Sequence, residues 1–381
     1  MSVPRYKPAR LFVTEKQREF APTITETPAL PVVEYGEAGL VAPTLLTAGG
    51  SGLPKADAVV ITWADAEWAA MQHVFCAGGT TMPYSAKDTG TWSGWTKYDV
   101  GMPDHPNGQR TPAGDPGAAT VSGWSYWGEW RLVGIGGKRV LLWKSNTHLD
   151  FPGQTQLVAM VQLLVKEVGP GLVMSIGTAG GAAVGDHVGT VRAVSAGTLY
   201  EKGKAQGSWP VYSNGWKAQE APALAAGIQS LLFPVPTTEE DLRGLASQFN
   251  AYYGTNYSIF DLDPDGLNSG DTQVKVVDGT GGGSSLLTTP TFVVGTTAGT
   301  YAGFACIEMD DALIGEVCAG AGVEFGFVRN VSDPVQSAAL PAEVQGDWGS
   351  TVYEVYGIYT SYNGALVAWG MLAGFFADGG G

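Results

Sequence analysis

Acidic residues cluster in one short segment near the C-terminal end of the chain, residues 306–334, which reads CIEMDDALIGEVCAGAGVEFGFVRNVSDP. Glu308, Asp310 and Asp311 precede an apolar, helix-like run, and Asp333 follows a strand-like run. Charged residues make up only 15% of the chain, so carboxylates at both ends of a buried helix–strand unit need an explanation. Such carboxylates can hold hydroxyl groups by charge-assisted hydrogen bonds, or move protons as general acids and bases.

Each of these acids also has a purely structural explanation. Asp333 precedes a proline and could cap the N-terminus of a following helix. Asp310 and Asp311 would lie in the first turn of a helix, where the helix dipole favours negative charge. The same argument applies to Glu67, near the start of another helix-like run.

The elements that must position these residues follow one another in an alternating pattern. Continuous apolar runs of five to seven residues are typical of strands buried on both faces, and they alternate with runs of helical spacing. The pattern predicts right-handed βαβ units and an α/β fold with a largely parallel sheet. The supporting runs are ADAVVIT (56–62), ADAEWAAMQHVF (64–75), the Gly-Gly hairpin RLVGIGGKRVLLWKS (131–145), GQTQLVAMVQLLVKEVG (153–169), GLVMSIG (171–177), FGFVRNVSD (325–333) and the closing helix 347–376.

Three segments do not follow this pattern. Residues 1–55 are rich in Pro, Thr and Glu and predict an extended arm ahead of one domain at 56–381. An irregular insertion at about 200–285 contains a helix that begins with a capping box, TTEEDLRGLASQFNAYYG. A second insertion, at about 77–130, holds Trp92, Trp95, Trp124, Trp127 and Trp130. These tryptophans form either a satellite core under a long loop or a lid over a planar ligand.

Composition limits the possible partners. The chain has 381 residues and carries 21 Lys and Arg against 36 Asp and Glu, so its net charge of −15 would repel nucleic acid and anionic membrane. Three cysteines and four histidines show no metal-type spacing, so we expect core thiols of a cytoplasmic protein with no metal and no cofactor. The N-terminus has no apolar signal-peptide core, and the apolar run 364–377 is too short to span a bilayer.

Three motifs together resemble the signature regions of the nucleoside phosphorylase/nucleosidase superfamily. They are VVITWADAEW, SIGTAGGAAVGD and IEMDDALIGEVCAGAGVEFGFVRNVSD, in that order, and they are most similar to those of methylthioadenosine/S-adenosylhomocysteine-type purine nucleosidases. The third is the most specific, because E-M-[ED] followed after about twenty residues by R-x-x-S-D is uncommon by chance. The resemblance covers roughly residues 56–200 and 290–375. It implies a three-layer α/β/α fold with a central mixed, largely parallel sheet, a purine nucleoside bound beyond the strand ends, and a homo-oligomer.

The resemblance also implies roles for individual residues. Asp333 would deliver a proton to purine N7, and Glu67 would activate a water molecule. Met309 would pack on the ribose, and Asp310, where the family more often has Glu, would hold ribose hydroxyls together with Glu308. An acid facing the base and a base facing the water repeat the two-carboxylate logic of inverting glycoside hydrolases. Ser332, in the R-x-x-S-D motif, would lie beside the substrate. Apart from the resemblance, the length and aromatic content of residues 92–130 predict that this segment covers the base pocket.

The choice between water and phosphate depends on nearby positive charge. Phosphorolysis needs a site for a dianion. Ser175 stands where phosphorylases of the family generally have Arg, and SNTHLDFPGQ replaces their Gly-rich turn, which puts His148 in the loop that binds phosphate there. Thr178 would contact either nucleophile. With Glu67 available, hydrolysis to free base and sugar is favoured.

Two alternatives stay open. Lys144, Arg139 or Arg329, or an arginine of another subunit, could supply a phosphate site, which would make the protein a phosphorylase that releases ribose 1-phosphate. Alternatively, the protein could bind or help transport nucleosides without turnover, since the insertions have no counterpart in the motifs.

Overall fold

The computed structural model describes residues 20, 22–24, 28–50, 52–76, 94–102, 126–149, 152–214, 227–264, 275–279 and 283–377. Within these residues the strands are β1 (Thr44–Leu45), β2 (Ala58–Thr62), β3 (Thr96–Tyr98), β4 (Gly128–Ile135), β5 (Lys138–Ser145), β6 (Leu172–Gly180), β7 (Val191–Val194), β8 (Ala196–Leu199), β9 (Val211–Ser213), β10 (Val276–Gly279), β11 (Leu286–Thr288), β12 (Ile307–Glu308) and β13 (Glu324–Asp333). The helices are α1 (Asp65–Cys76), α2 (Gln154–Val168), α3 (Glu239–Tyr253), α4 (Ile259–Leu262), α5 (Asp311–Ala321) and α6 (Ala342–Ala377). Three short 3-10 turns lie at Tyr35–Ala38, Gln206–Ser208 and Ile228–Leu231.

All described strands belong to one mixed sheet with a parallel centre. Strands β5, β2, β6 and β13 are parallel neighbours in that order. Antiparallel pairs extend both sides, with β4 next to β5 and β7 next to β13. Strand β12 pairs with the last residue of β6 and leads on through β11 and β8 to β9, so the sheet divides at that point. The predicted largely parallel α/β sheet is confirmed.

Helices cover both faces of this sheet. One hydrophobic cluster joins α1 and α6 to one face, and a second joins α2 and α5 to the other. Alternate residues of the central strands contribute to the two clusters, with Val60 in the first and Val59 and Ile61 in the second. Continuous apolar strands therefore produce the predicted three layers, because both faces need apolar side chains.

The predicted hairpin and helices are also confirmed. Gly136 and Gly137 have φ of +59° and +82°, as a type I′ hairpin turn requires at both central positions. Helix α2 ends at Gly169 in the left-handed conformation, and α3 begins with a capping box between Thr238 and Asp241.

The long helix α6 is buried inside the chain. Segments from outside the sheet hold it by hydrogen bonds: Tyr359 donates to the carbonyl of Pro28 at 2.9 Å, and Trp369 donates to that of Val41 at 2.9 Å. Part of the predicted arm thus packs on this helix. Oligomer formation stays a prediction.

The tryptophan-rich insertion lies only partly within the described residues. Trp95 packs edge-on against Trp68 with ring centroids 5.3 Å apart, and Trp127 and Trp130 are buried in the cluster on the α2 side of the sheet. These three therefore serve the core. Trp92 and Trp124 lie outside the described residues, and the predicted cover of the base stays a prediction.

None of the described helices combines the length and the apolar character that crossing a membrane would need. All three cysteines are buried free thiols.

Candidate active site

The predicted site residues meet at the carboxyl ends of the parallel strands. Glu67 follows β2, His148 follows β5, Thr178 lies near the end of β6, and Asp333 ends β13. Gly180, the last residue of β6, pairs with Asp333 on one strand and with Ile307 on another, which brings the Glu308–Asp310 segment to the same edge. Open α/β sheets bind ligands at this edge.

Asp333 is a buried carboxyl that caps no helix. The next helix, α6, begins only at Ala342, so the structural alternative for Asp333 does not apply. The residue is 8% exposed. Burial raises its pKa to about 7, against a smaller lowering by the Ser332 hydroxyl. A carboxyl group with this pKa is partly protonated at neutral pH, as a general acid must be.

Gly349 of α6 lies against Asp333 and Phe292. A Cβ placed on Gly349 would lie 3.8 Å from Asp333 Oδ1 and 3.8 Å from the Phe292 ring. Met309 is half-buried and belongs to none of the three hydrophobic clusters of the described residues. Phe292 is thus close to Asp333 on either side of Gly349, and Met309 keeps part of its side chain accessible. Nothing in the sequence distinguishes Phe292, which follows the stretch TTPT, from a core phenylalanine.

Glu67 is held by five hydrogen bonds. Its Oε2 accepts from Thr62 Oγ1 (3.0 Å) and from the backbone N–H groups of Trp63 (2.9 Å) and Ala64 (2.8 Å), which closes the start of α1. Its Oε1 accepts from the N–H and the hydroxyl of Thr178, both at 2.7 Å. Burial would raise the pKa of Glu67, but the charge of Arg329 and these hydrogen bonds outweigh it and hold the pKa below its ordinary value. The side chain is therefore ionised and fixed in position.

Arg329 is the centre of a buried charge cluster. It donates to both oxygens of Asp311, from Nε at 2.7 Å and from Nη2 at 2.5 Å, and also to Ser175 Oγ at 2.9 Å. Glu308 Oε2 lies 3.1 Å from the same Nη2. Arg329 is 3% exposed, and the carboxylates around it raise its already high pKa despite burial. Nε and Nη2 of the guanidinium are thus committed to neighbours within the chain.

Gly177 lets Arg329 and Glu67 lie side by side. It pairs with Arg329 across β6 and β13, and a Cβ there would lie 2.5 Å from Arg329 Nη1 and 2.9 Å from Glu67 Oε1.

We expect Gly177→Ala to lower the free energy of unfolding by about 1–3 kcal/mol, because both side chains are fixed and must move. Urea unfolding would measure this. Gly320→Ala, on an exposed face of α5 with open space around it, is the control and should be neutral or stabilising. Equal stability of the two variants would contradict this picture.

Glu308 and Thr288 cap the start of α5. Glu308 Oε2 accepts from the backbone N–H groups of Asp310 (2.6 Å) and Asp311 (3.0 Å), and Thr288 Oγ1 accepts from that of Ala312 (2.9 Å). Thr288 donates in turn to Glu308 Oε1. Burial, followed by the nearby Asp311 carboxylate, raises the pKa of Glu308. Both Glu308 oxygens therefore have partners within the chain, and a sugar hydroxyl would have to compete with them.

Because Glu308 and Thr288 cap α5, the Asp310 side chain does not. It precedes α5 without a side-chain cap bond. Its Oδ1 accepts from the Leu149 N–H at 2.9 Å, and its Oδ2 lies 3.2 Å from His148 Nε2. Burial raises its pKa to about 6, and the charge of His148 opposes this rise. His148 is the more accessible partner, since its side chain is 20% exposed and that of Asp310 2%.

Trp63 also lies at this edge, although the motifs assigned it no role. Lys144 and Arg139 were considered as donors for a phosphate site. Trp63, directly after β2, has its ring centroid 5.2 Å from the guanidinium carbon of Arg329. Lys144 is buried with its ammonium 5.4 Å from the centroid of Trp68, and Arg139 is exposed near the amino end of β5. Arg139 thus lies at the far end of its strand from the acids, and Arg329 is the arginine next to them.

No family model matches the chain, and no curated protein matches it. Among solved structures it is similar to a 5′-methylthioadenosine/S-adenosylhomocysteine nucleosidase from Neisseria meningitidis, with 13% identity, a TM-score of 0.46, and coverage of 83% of this chain and 99% of that one. It is also similar to futalosine hydrolase of Helicobacter pylori, with 10% identity, a TM-score of 0.44, and coverage of 83% and 97%. Each is a similarity of fold.

Proposed function

We propose that this protein is a nucleosidase that hydrolyses the N-glycosidic bond of a purine nucleoside or nucleoside derivative. The observation that supports this best is Asp333, a carboxyl buried at the end of a central strand, with a pKa near 7 and no helix to cap. Cleavage of the bond leaves negative charge on the base, and a proton from Asp333 to purine N7 neutralises it. Gly349 of α6 lies between Asp333 and the Phe292 ring, and this ring provides a surface for the base.

Thr178 and Glu67 act on the water. All the lone pairs of Glu67 are engaged, since a carboxylate offers about four acceptor positions and this one accepts five hydrogen bonds. Thr178 is half-buried and gives its hydroxyl hydrogen to Glu67, so its oxygen can accept from the water. As the water oxygen bonds to the anomeric carbon, its proton passes to Thr178 and the hydrogen of Thr178 passes to Glu67. Meanwhile the electrons of the glycosidic bond go to the base.

The charges around the site favour water over phosphate. Asp311 and Ser175 take up Nε and Nη2 of Arg329, and the ionised Glu67 carboxylate lies beside the guanidinium. A dianion would find few open donors here and a carboxylate facing it. Water carries no charge and meets neither obstacle.

The remaining site residues hold the sugar. Met309 packs on its apolar face, and the Asp310–His148 pair, Ser332 and Glu308 surround its hydroxyl groups. The half-buried Met309 and His148 are the two of these that a ligand reaches first.

Base release without phosphate is the expected outcome of a direct assay. A panel of purine nucleosides with different 5′ groups would be incubated with the protein, with and without phosphate, and free base, ribose and ribose 1-phosphate would be separated by chromatography. We expect base and free sugar at equal rates in both conditions. An absolute need for phosphate would instead support a phosphorylase. Saturable nucleoside binding with no base released from any member of the panel would support the non-catalytic binding function.

A further inference from the structure

Trp63 covers one face of the only arginine in the acidic cluster that the described strand ends form. Its ring centroid lies 5.2 Å from the guanidinium carbon of Arg329, a cation–π distance. Both side chains are buried, with Trp63 6% and Arg329 3% exposed. Gly177, paired with Arg329 in the sheet, lies close to Nη1. The guanidinium thus has little surface that a ligand could reach.

The loop after β5 fixes Trp63 in this position. The indole Nε1 donates to the carbonyl of Thr147 at 2.9 Å, and the indole meets the His148 ring edge-on with centroids 6.2 Å apart. Within this loop Ser145 Oγ also donates to the Thr147 carbonyl, at 2.6 Å. Asp310 holds its other end through the Leu149 N–H. Moving Trp63 would therefore disturb several hydrogen bonds at once.

Uncovering Arg329 would offer phosphate a guanidinium donor. Arginine is well suited to phosphate because its planar fork of donors matches the phosphate oxygens. Asp311 occupies Nε and one hydrogen of Nη2, but Nη1 has only the Thr178 carbonyl, at 3.3 Å, among the described acceptors. Nη1 is thus the donor that an incoming phosphate oxygen could use.

We propose that Trp63 determines the nucleophile by covering Arg329, so that water enters the site and inorganic phosphate does not. This inference rests on the proposed nucleosidase function and names the residue responsible for its choice of water. The indole excludes a tetrahedral anion by its volume, and it provides apolar surface where the anion would need donors. Water is smaller than phosphate and carries no charge, so it needs no donor from Arg329.

The test is to replace Trp63 and measure phosphate use. We expect Trp63→Ala to form ribose 1-phosphate from a purine nucleoside in the presence of inorganic phosphate, alongside ribose. We also expect its apparent phosphate dissociation constant, from the shift in melting temperature with added phosphate, to be at least about tenfold lower than that of the unaltered protein, or about 1.4 kcal/mol. Trp63→Phe keeps a ring over the guanidinium and should still exclude phosphate. The same measurement with potassium chloride at equal ionic strength is the control, because it shows how much of the shift in melting temperature comes from charge screening alone.

Three outcomes would overturn the inference. The first is a Trp63→Ala protein that hydrolyses the nucleoside and neither binds nor uses phosphate. The second is saturable phosphate binding by the unaltered protein at or below millimolar concentration, which can be measured even if the alanine variant does not fold. The third is phosphate use by the phenylalanine variant equal to that of the alanine variant. Absence of any base release from the unaltered protein would instead count against the proposed function, and the phosphate-binding comparison would still test the role of Trp63.

Discussion

Replacing Asp333 with asparagine is expected to slow base release by a factor of about 10²–10⁴, the usual effect of removing a general acid. Asparagine has nearly the same volume and fits the same buried position, so the melting temperature should change little. The amide cannot give a proton to the base, so the leaving group must depart as an anion. Steady-state rates on the best nucleoside of the panel would measure the loss.

The pH dependence of the same reaction gives an independent check. Asp333 must be protonated to act, and its pKa is about 7. The rate of the unaltered protein should therefore fall about tenfold per pH unit above pH 7, and Asp333→Asn should lose this dependence. Asp57→Asn, at the amino end of β2 where Asp57 accepts the Arg139 N–H at 2.7 Å, is a control that should keep both rate and profile. A near-normal rate for Asp333→Asn would remove Asp333 from the mechanism.

Replacing Arg329 with methionine is expected to lower the free energy of unfolding by about 3–5 kcal/mol. Methionine has a similar length and no charge, so it leaves Asp311 and Glu67 buried without their cation. Burying an unpaired carboxylate costs far more than an ordinary surface change. Chemical denaturation monitored by tryptophan fluorescence would measure the difference.

A matched control is available for this substitution. Arg139→Met changes an exposed arginine on β5, and we expect an effect within about 0.5 kcal/mol. Double replacement of Arg329 and Asp311 by methionine and leucine should recover part of the loss, because the pair is removed together. Equal stability of the Arg329 and Arg139 variants would show that the cluster contributes no more than surface charge.

The three layers, and the edge of the sheet at which the candidate site lies, could be predicted from the sequence for physical reasons. Strands buried on both faces must be apolar throughout, so β2 and β6 stand out as continuous runs. Helix ends are marked by residues with special conformations, such as Gly169 after α2. Parallel strands place their carboxyl ends together, so acids that follow separate strands could be expected in one site.

Partners across the fold were harder to predict. The motifs place Glu308 and Asp310 side by side, yet Glu308 caps α5 while Asp310 reaches across to the loop after β5. That division depends on Thr288, which is far from them in sequence. In the sequence Trp63 is an apolar residue that follows a strand. Its contact with Arg329 depends on the register of the sheet, which the sequence does not show. Pairings of this kind depend on register and on loop conformation, which residue types alone do not determine.

The measurement that tests the central claim most directly is hydrolysis of a purine nucleoside in water enriched in ¹⁸O, with no phosphate present. Mass spectrometry of the products would follow the label. We expect free base without label, and sugar carrying one ¹⁸O, detected after rapid reduction of the sugar so that exchange at the anomeric carbon does not blur the result. The Asp333→Asn protein should give the same products far more slowly. No base release without phosphate from any nucleoside of the panel, or release that is unchanged by Asp333→Asn, would contradict the account.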